Sequence, residues 1–375
     1  MSQNDTALIY VSVIKDNGIL AFELDLKSGD MTTVGKPTEL YLPWSMAFSP
    51  NKHYLYVTSS NYGIASLEIN EDVGDLKLLD HVMLKKELGM VYPTYLFVDH
   101  TGKYLLVCDY FMDTIATYKI GNDGCIISKS LDVISVGGSI YGPKENRQHP
   151  HSIQIEPTGR YVVAPFTGKN RISFFDWNPK YGRISRAPIS QVETIGGTGP
   201  RHFAYHPSRP FVYFAMERGE LLSRVTFFEV VKGEPTLIEK GTWSTIPESF
   251  TQKNSIADIH VTPNGRFVYI SNRGHDSLAG FAISEKDGSL TPLGQFKTSS
   301  VPITFAIDDS SRFALVAGMA SGTLSVHRID DKTGKLSEPK VIDCVWYGSN
   351  RGRIQTYDKP VEGGVGAPWV VTRPR

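Results

Sequence analysis

Residues capable of acid–base and anion-binding chemistry lie at the ends of two apolar segments in one stretch of this chain. In residues 199–219, GPRHFAYHPSRPFVYFAMERG, Arg201 precedes the first apolar segment and Glu217 follows the second. The turn HPSRP between them predicts a β-hairpin, whose second strand returns to the end where the first began. Arg201 and Glu217 are therefore expected to meet. A guanidinium beside a carboxylate can bind an anionic oxygen or assist proton transfer.

The same hairpin recurs along the chain, and its recurrence provides a register. Six segments share an apolar strand, a turn with Pro, Asp or Gly, an aromatic residue and a second apolar strand. Residues 8–25 repeat only the second half of this pattern. The first aromatic residues after the turns, about 50 residues apart, are Tyr54, Tyr104, Tyr161, Phe211, Phe267 and Phe313.

This register brings two more side chains to the Arg201–Glu217 end of the hairpins. His151 and Arg201 each lie ten residues before their aromatic residue, and Glu217 and Arg273 each lie six residues after theirs. Both positions belong to the same end of the hairpin. We therefore predict that these four residues, from three consecutive repeats, converge as a catalytic group.

The neighbouring repeats contribute mostly neutral side chains at these two positions. Trp44 and Thr94 occupy the first position, and Tyr110 and Thr167 occupy the second. Together with His275 they are the predicted substrate-binding residues. A one-sided group of charged residues among neutral ones suits a small anionic or carbonyl-rich ligand.

Each catalytic candidate also has a structural interpretation. Arg273 could pair with Asp276 in its own turn, Arg201 and Glu217 could form an ion pair that only links strands, and His151 could bond a backbone carbonyl. Four further histidines are interpreted as structural: His149, His202, His206 and His260.

A third and a fourth strand follow each hairpin, for example GILAFELD and RISFFDW as third strands. Four antiparallel strands repeated about every 40–50 residues are typical of a β-propeller. We predict an all-β, seven-bladed propeller of four-stranded antiparallel blades that forms one domain over residues 1–375. The first unit lacks its innermost strand, so the C-terminal part must pair with the N-terminal part through residues 341–349 or 366–372. Two longer connections, residues 134–147 and 241–255, are predicted to wall a pocket.

Bulk composition limits the partners. The 375 residues carry 39 Lys and Arg against 39 Asp and Glu, a formal net charge of +0, which argues against nucleic acid or an anionic membrane as partner. No apolar run approaches a membrane span and the N-terminus does not resemble a signal peptide. Three scattered cysteines indicate a reducing cytoplasm, and the histidines show no metal-ligand spacing. We expect a cytoplasmic monomer without metal or other cofactor.

Three motifs resemble the seven-bladed propeller lactonase family, which includes propeller-type 6-phosphogluconolactonases and fungal carboxy-cis,cis-muconate cyclase. They are Pro150-His151-Ser152, Gly199-Pro200-Arg201-His202 and the segment 258–274, DIHVTPNGRFVYISNRG. The likeness covers essentially the whole chain. In the muconate cyclase, a His, two Arg and a Glu are assigned to the site, and by motif they correspond to His151, Arg201, Glu217 and Arg273.

The resemblance implies a metal-independent lactonase acting on a small sugar or carboxylic-acid lactone. The two arginines would stabilise the oxyanion, and either His151 or Glu217 would be the base while the other is the acid. The chain departs from the family at Asp109-Tyr110-Phe111-Met112 and Pro165-Phe166-Thr167-Gly168, which implies a bulkier, less polar pocket. A muconate-lactonising cycloisomerase and a non-catalytic scaffold propeller are the alternatives.

Overall fold

The computed structural model describes most of the chain. The described residues are 5–14, 16–59, 63–84, 90, 93–128, 132–137, 147–217, 223–344 and 369–375. They form 30 strands, β1 to β30 in chain order, in seven antiparallel sheets. Among the described residues there is no helix, and hence no helix that could cross a membrane.

Each sheet is one blade, and its strands are ordered from the innermost, beside the central channel, to the outermost. The innermost strands are β5 (Pro43–Phe48), β9 (Pro93–Val98), β13 (Gln154–Ile155), β18 (Pro200–Tyr205), β22 (Ser255–Val261), β26 (Pro302–Ile307) and β30 (Trp369–Pro374). The second strands are β1 (Thr6–Val13), β6 (Tyr54–Ser59), β10 (Tyr104–Asp109), β14 (Tyr161–Phe166), β19 (Phe211–Met216), β23 (Phe267–Arg273) and β27 (Phe313–Gly318).

The outer strands complete the blades. The third strands are β2 (Gly18–Asp25), β7 (Gly63–Ile69), β11 (Thr114–Lys119), β15 (Arg171–Asn178), β20 (Arg224–Val230), β24 (Ser277–Ile283) and β28 (Thr323–Arg328). The outermost strands are β3 (Met31–Thr33) with β4 (Thr38–Glu39), β8 (Leu76–Met83), β12 (Asp132–Ser135), β16 (Arg183–Ile184) with β17 (Ser190–Glu193), β21 (Leu237–Ser244), β25 (Leu290–Lys297) and β29 (Lys340–Asp343). The predicted seven-bladed, all-β propeller is confirmed.

The ring closes in blade 1, where strands from distant parts of the chain pair. Strand β30 lies against β1, with Ser12 opposite Trp369 and Ala7 opposite Pro374. The second of the two predicted closing segments is therefore the one used. The start of the other segment forms β29, the outer strand of blade 7, and residues 345–349 lie outside the described part.

The hydrophobic core lies between blades rather than within any one of them. Seven clusters of buried apolar side chains each combine residues of two neighbouring blades. The clusters form because every blade is apolar on both faces, as the fully buried second strands show. The ring is thus stabilised mainly by the same burial that packs each blade against the next.

Two recurring kinds of hydrogen bond connect neighbouring blades. Buried tyrosines in second strands donate to turn glycines of the next blade, as from Tyr213 to Gly288 O at 2.8 Å and from Tyr269 to Gly334 O at 2.7 Å. Gly288 has φ +76°, and a Cβ there would lie 2.6 Å from the Phe227 ring, so only glycine fits the turn.

The second recurring bond comes from Asn or Asp at the turn between the second and third strands. These residues have φ between 51° and 54°, a left-handed conformation that Asn and Asp tolerate. Each side-chain oxygen accepts a backbone N–H at the start of the next blade. The pairs are Asn17 with Leu42, Asp113 with His149, Asn170 with Gly199 and Asp276 with Val301.

In the described residues, five of the seven innermost strands carry a β-bulge near the end where the predicted catalytic residues lie: β5, β9, β18, β22 and β26. In β18 the pairing steps from Pro200 opposite Met216 to Phe203 opposite Phe214, so Arg201 and His202 together face Ala215. In β22 the same shift leaves Ala257 and Asp258 opposite Ser271. A bulge re-aims side chains at the place where it occurs.

Candidate active site

Three blades position the four predicted catalytic side chains. His151 precedes β13 in blade 4, where its backbone N–H donates to Pro165 O. Arg201 lies in the bulge of β18, and Glu217 follows β19 in the same blade, with its N–H bonded to Gly199 O. Arg273 ends β23 of blade 6.

Glu217 joins the two guanidinium groups. Arg273 Nη2 donates to Glu217 Oε1 at 2.5 Å. Arg201 Nε lies 3.4 Å from the same oxygen, an ion-pair distance at which the geometry for a hydrogen bond is not met. The alternative pairing of Arg273 with Asp276 does not occur, because Asp276 instead accepts hydrogen bonds from Gly274, Ser300 and Val301.

Further contacts hold each guanidinium in place. Arg273 Nη2 also approaches Ser255 Oγ at 2.7 Å and Ile256 O at 3.0 Å. Arg201 Nη1 donates to the carbonyl of Ala257 in blade 6. Among the described residues, neither Arg201 Nη2 nor Arg273 Nη1 has a hydrogen-bond acceptor. Each arginine therefore keeps one terminal nitrogen available for a ligand oxygen.

His151 lies beside this group without bonding to it. Its ring centroid is 5.0 Å from that of Tyr110 and 5.3 Å from that of His202. Its Nδ1 is buried without a hydrogen-bond partner in the described part of the chain. In the described part of the chain, the side chain of His151 makes no hydrogen bond to the backbone carbonyl of another residue.

Burial and charge set the protonation states. Burial lowers the pKa of His151 well below its ordinary value, and the positive charge of Arg201 lowers it further. Burial opposes ionisation of Glu217, but Arg201 and Arg273 outweigh this effect and lower its pKa. Burial lowers the pKa of Arg201 to about 10. At neutral pH the site therefore holds a neutral histidine, a carboxylate and a cationic Arg201.

Sequence reasoning missed a second layer of polar residues beneath these four. His202 Nδ1 donates to Asp258 Oδ1 at 2.8 Å, and His260 Nε2 lies 3.1 Å from Asp258 Oδ2. The ring of His202 reaches across the channel to Tyr95 and Trp369, at centroid distances of 5.1 and 6.2 Å. The repeat register placed neither Asp258 nor His202, which was interpreted as structural, in the site, because both lie in bulges. Each lies nine residues before its aromatic residue, so the register applied one position further along would have found them.

The predicted substrate-binding residues separate into two groups. Tyr110 lies at the site, stacked on His149 at 4.2 Å and edge-on to His151. Thr167 is buried, and its hydroxyl donates to Pro200 O at 2.8 Å, which links blades 4 and 5 beside Arg201.

The other three make no described contact with the catalytic group. The hydroxyl of Thr94 donates to Cys108 O within its own blade, and Trp44 packs in the cluster between blades 1 and 2. His275 Nδ1 lies 2.7 Å from Ser277 Oγ, and its ring meets Phe250 edge-on at 4.8 Å. Their role in substrate binding stays a prediction.

One of the two longer connections packs against the same rim. In residues 241–255, Thr245 and Asn254 both donate to Asn272 Oδ1, next to Arg273. Phe250 from this connection covers His275. The other connection includes residues 138–146, which lie outside the described part, so its predicted place at the pocket is not addressed.

No group of three or more His, Cys, Asp or Glu side chains in the described ranges is arranged to hold a metal ion. The available chemistry is that of the residues themselves. Two arginines can receive a developing oxyanion, and a neutral histidine can accept a proton from water.

A sequence model described as "Lactonase, 7-bladed beta-propeller" matches residues 8–342 of this chain. Among curated relatives, a 6-phosphogluconolactonase of Pectobacterium carotovorum is 31% identical over 333 residues, 88% of this chain and 93% of the relative. A 6-phosphogluconolactonase of Yersinia pestis is 29% identical over 338 residues, again 88% of this chain and 93% of the relative.

Solved structures share the fold. A periplasmic gluconolactonase of Pseudomonas aeruginosa aligns with a TM-score of 0.80 and 24% identity, over 90% of this chain and 96% of that chain. A protein from Lactobacillus plantarum aligns with a TM-score of 0.80 and 23% identity, over 99% of both chains. At these identities the likeness concerns architecture alone.

Proposed function

The chain belongs to the seven-bladed β-propeller lactonase family and is a lactonase; we propose that it hydrolyses a small sugar or carboxylic-acid lactone at the mouth of its central channel. The observation that supports this site is the pair of guanidinium groups, each fixed by protein acceptors on one nitrogen and without an acceptor on another. Such donors are ordered before the substrate arrives, so they stabilise an oxyanion without reorganisation.

The proposed reaction follows from the protonation states. Neutral His151 takes a proton from water while the water oxygen attacks the lactone carbonyl. Arg201 and Arg273 stabilise the oxyanion that forms. When the carbonyl is restored, the ring C–O bond breaks, and the leaving alkoxide receives the proton from His151. The product acid ionises and releases one proton to solution at neutral pH.

Glu217 is assigned a charge-balancing role rather than that of the base. Its Oε1 accepts the 2.5 Å hydrogen bond from Arg273 and lies 3.4 Å from Arg201 Nε, so both cations compete with a proton for this oxygen. His151 has no competing partner among the described residues and is uncharged at neutral pH. This arrangement favours His151 as the proton acceptor.

The substrate class includes sugar lactones of the kind that the curated relatives are named for, phosphorylated or not. Phe111 is 48% exposed and adds an apolar surface beside Tyr110, with ring centroids 5.1 Å apart. An unphosphorylated or more apolar lactone is therefore included among the proposed substrates.

The test is proton release in weak buffer with aldonolactones, free and 6-phosphorylated, and with aliphatic lactones. Wild type should open at least one faster than the spontaneous rate, and His151→Ala should lower kcat/KM by about 10²–10⁴-fold. His100→Ala, in an exposed hairpin turn, is the matched control and should behave as wild type.

If wild type opens no lactone of the panel, the proposed function is wrong for these substrates. Muconate cyclisation, followed by ultraviolet absorbance, would then be examined, because the same groups could add a muconate carboxylate across its double bond and deliver a proton to the adjacent carbon. If neither reaction occurs and no aldonate or muconate raises the melting temperature, the scaffold alternative is favoured.

A further inference from the structure

We propose that His202 and Asp258 are positioning residues for this reaction: Asp258 selects the tautomer of His202, and His202 in turn holds the Arg201 guanidinium toward the substrate. This proposal rests on the proposed lactone opening for its kinetic test. Its structural basis is independent of that reaction.

Asp258 is bound by donors from three blades. Oδ1 accepts from Ile259 N at 2.9 Å and from His202 Nδ1 at 2.8 Å. Oδ2 lies 3.1 Å from His260 Nε2 and 3.4 Å from Phe305 N. Burial opposes ionisation of Asp258, but His260 and His202 hold its pKa well below the ordinary range. The carboxylate is therefore charged and fixed in orientation.

A charged acceptor at Nδ1 determines where the His202 proton lies. Nδ1 carries the hydrogen that Asp258 accepts, so Nε2 presents a lone pair. That lone pair lies 3.2 Å from Arg201 Nη1, which can only donate. Burial, reinforced by the charge of Arg201, lowers the pKa of His202 to about 4, so the ring stays neutral at neutral pH.

Because the His202 ring is neutral, it orients Arg201 without neutralising the positive charge of the guanidinium. Nη1 is held by His202 and by Ala257 O, which fixes the plane of the guanidinium and leaves Nη2 without a described acceptor. A carboxylate in the place of His202 would neutralise the arginine. The ring itself is confined by Tyr95, Trp369 and His151, whose centroids lie between 5.1 and 6.2 Å away.

The experiment compares two substitutions of His202. His202→Gln can place an amide oxygen where Nε2 was, so it keeps an acceptor for Arg201. His202→Phe keeps the ring but removes the acceptor. We expect His202→Phe to lower kcat about 10²-fold, the effect of misplacing a catalytic group by about 1 Å, and His202→Gln to lower it by less than about tenfold.

A double-mutant cycle separates positioning from general destabilisation. If His202 acts through Arg201, then His202→Phe should change kcat less than about threefold when Arg201 is already Lys. An equal loss in both backgrounds would overturn the proposal. If His202→Phe does not fold, a loss of 10²-fold or more for His202→Gln would overturn it as well.

Nitrogen-15 NMR of histidine-labelled protein provides a test that needs no activity. Wild type at pH 7 should show His202 neutral with the proton on Nδ1. In Asp258→Ala this single tautomer should be lost, because no carboxylate oxygen remains to accept the hydrogen of His202 Nδ1. A wild-type His202 that is protonated on Nε2 at pH 7 would refute the proposal. Inactivity on every lactone would instead contradict the proposed function and leave the tautomer result to decide this one.

Discussion

Replacing Arg273 with lysine should separate the binding of an oxyanion from the balance of charge. In wild type, Arg273 Nη2 shares its two hydrogens among Glu217, Ser255 and Ile256 O. A lysine ammonium can take the place of Nη2 beside Glu217 and keep the positive charge. It cannot also supply Nη1, the nitrogen without a described acceptor. The carboxylate should therefore remain paired while one donor to the substrate is lost.

The expected magnitudes follow from these contacts. Loss of one preorganised oxyanion donor costs about 3–4 kcal/mol in the transition state, which corresponds to about 10²–10³-fold in kcat. The side chains of Glu217 and Arg273 are only 17% and 22% exposed, so removing the cation and leaving Glu217 unpaired would cost about 3–5 kcal/mol of unfolding free energy. A lysine that keeps the ion pair should lose clearly less than this.

The assay is lactone opening by proton release together with urea unfolding for wild type, Arg273→Lys and Arg266→Lys. Arg266 is the matched control, because it lies in the same blade at the opposite rim, where it pairs with Asp331. The reasoning is refuted if Arg273→Lys keeps kcat within about fivefold of wild type. It is also refuted if Arg266→Lys loses as much activity as Arg273→Lys.

Two further predictions concern stability. The folded pKa of His202, about 4, lies below the ordinary 6.5, so the stability contributed by the neutral ring is fully present above pH 6.5 and is lost as the pH falls from 6.5 to 4. Because glutamine does not titrate, the free energy of unfolding of His202→Gln, measured with urea, should fall by about 3 kcal/mol less than that of wild type over this range. An equal pH dependence of the two proteins would contradict a buried neutral ring. Tyr213→Phe leaves the buried Gly288 O without its donor and should lower the unfolding free energy by about 1 kcal/mol. Tyr181→Phe is the control and should not lower it, because Tyr181 is 56% exposed. Equal urea midpoints for the two variants would argue against the interblade bond.

The repeat pattern predicted the fold because each repeat shows its own pattern of strands and turns in the sequence, so every blade could be recognised separately. Aromatic residues after the turns aligned the blades, and the alignment placed Arg201, Glu217 and Arg273 at one rim, where the structure joins them through the Glu217 carboxylate. Repetition supplies long-range geometry that a non-repeating sequence of the same length would not show.

The parts that could not be predicted depend on local departures from regular strands. A bulge makes Arg201 and His202 share one partner residue, so simple alternation does not predict that both take part in the site. The partners of the Thr94 and Thr167 hydroxyls were equally hidden, because a register gives a residue's position on the blade and not the direction of its side-chain hydrogen bond.

The side chains that accept the interblade hydrogen bonds also form a pattern in the sequence. In four repeats an Asn or Asp lies nine residues after the position of the first aromatic residue that follows the hairpin turn. These residues are Asn17, Asp113, Asn170 and Asp276. A small amide or carboxylate recurring at one register position, where the backbone must be left-handed, indicates a shared structural role. This pattern predicts that Asp276 bonds the next blade rather than Arg273, as the hydrogen bond from Val301 N shows.

The pairing of β30 with β1 also has a consequence for how the enzyme is made. Ser12 and Trp369 lie opposite each other and are 357 residues apart in the chain. The same Trp369 is one of the aromatic side chains that pack around His202. Contacts this distant form late, since the chain must pay the full entropy of closing the loop before they stabilise anything. During synthesis, the other six blades can assemble before β30 pairs with β1 and completes blade 1. Catalytic competence should therefore appear in a single late step, and nascent chains released before residue 369 should be inactive even where their blades are folded.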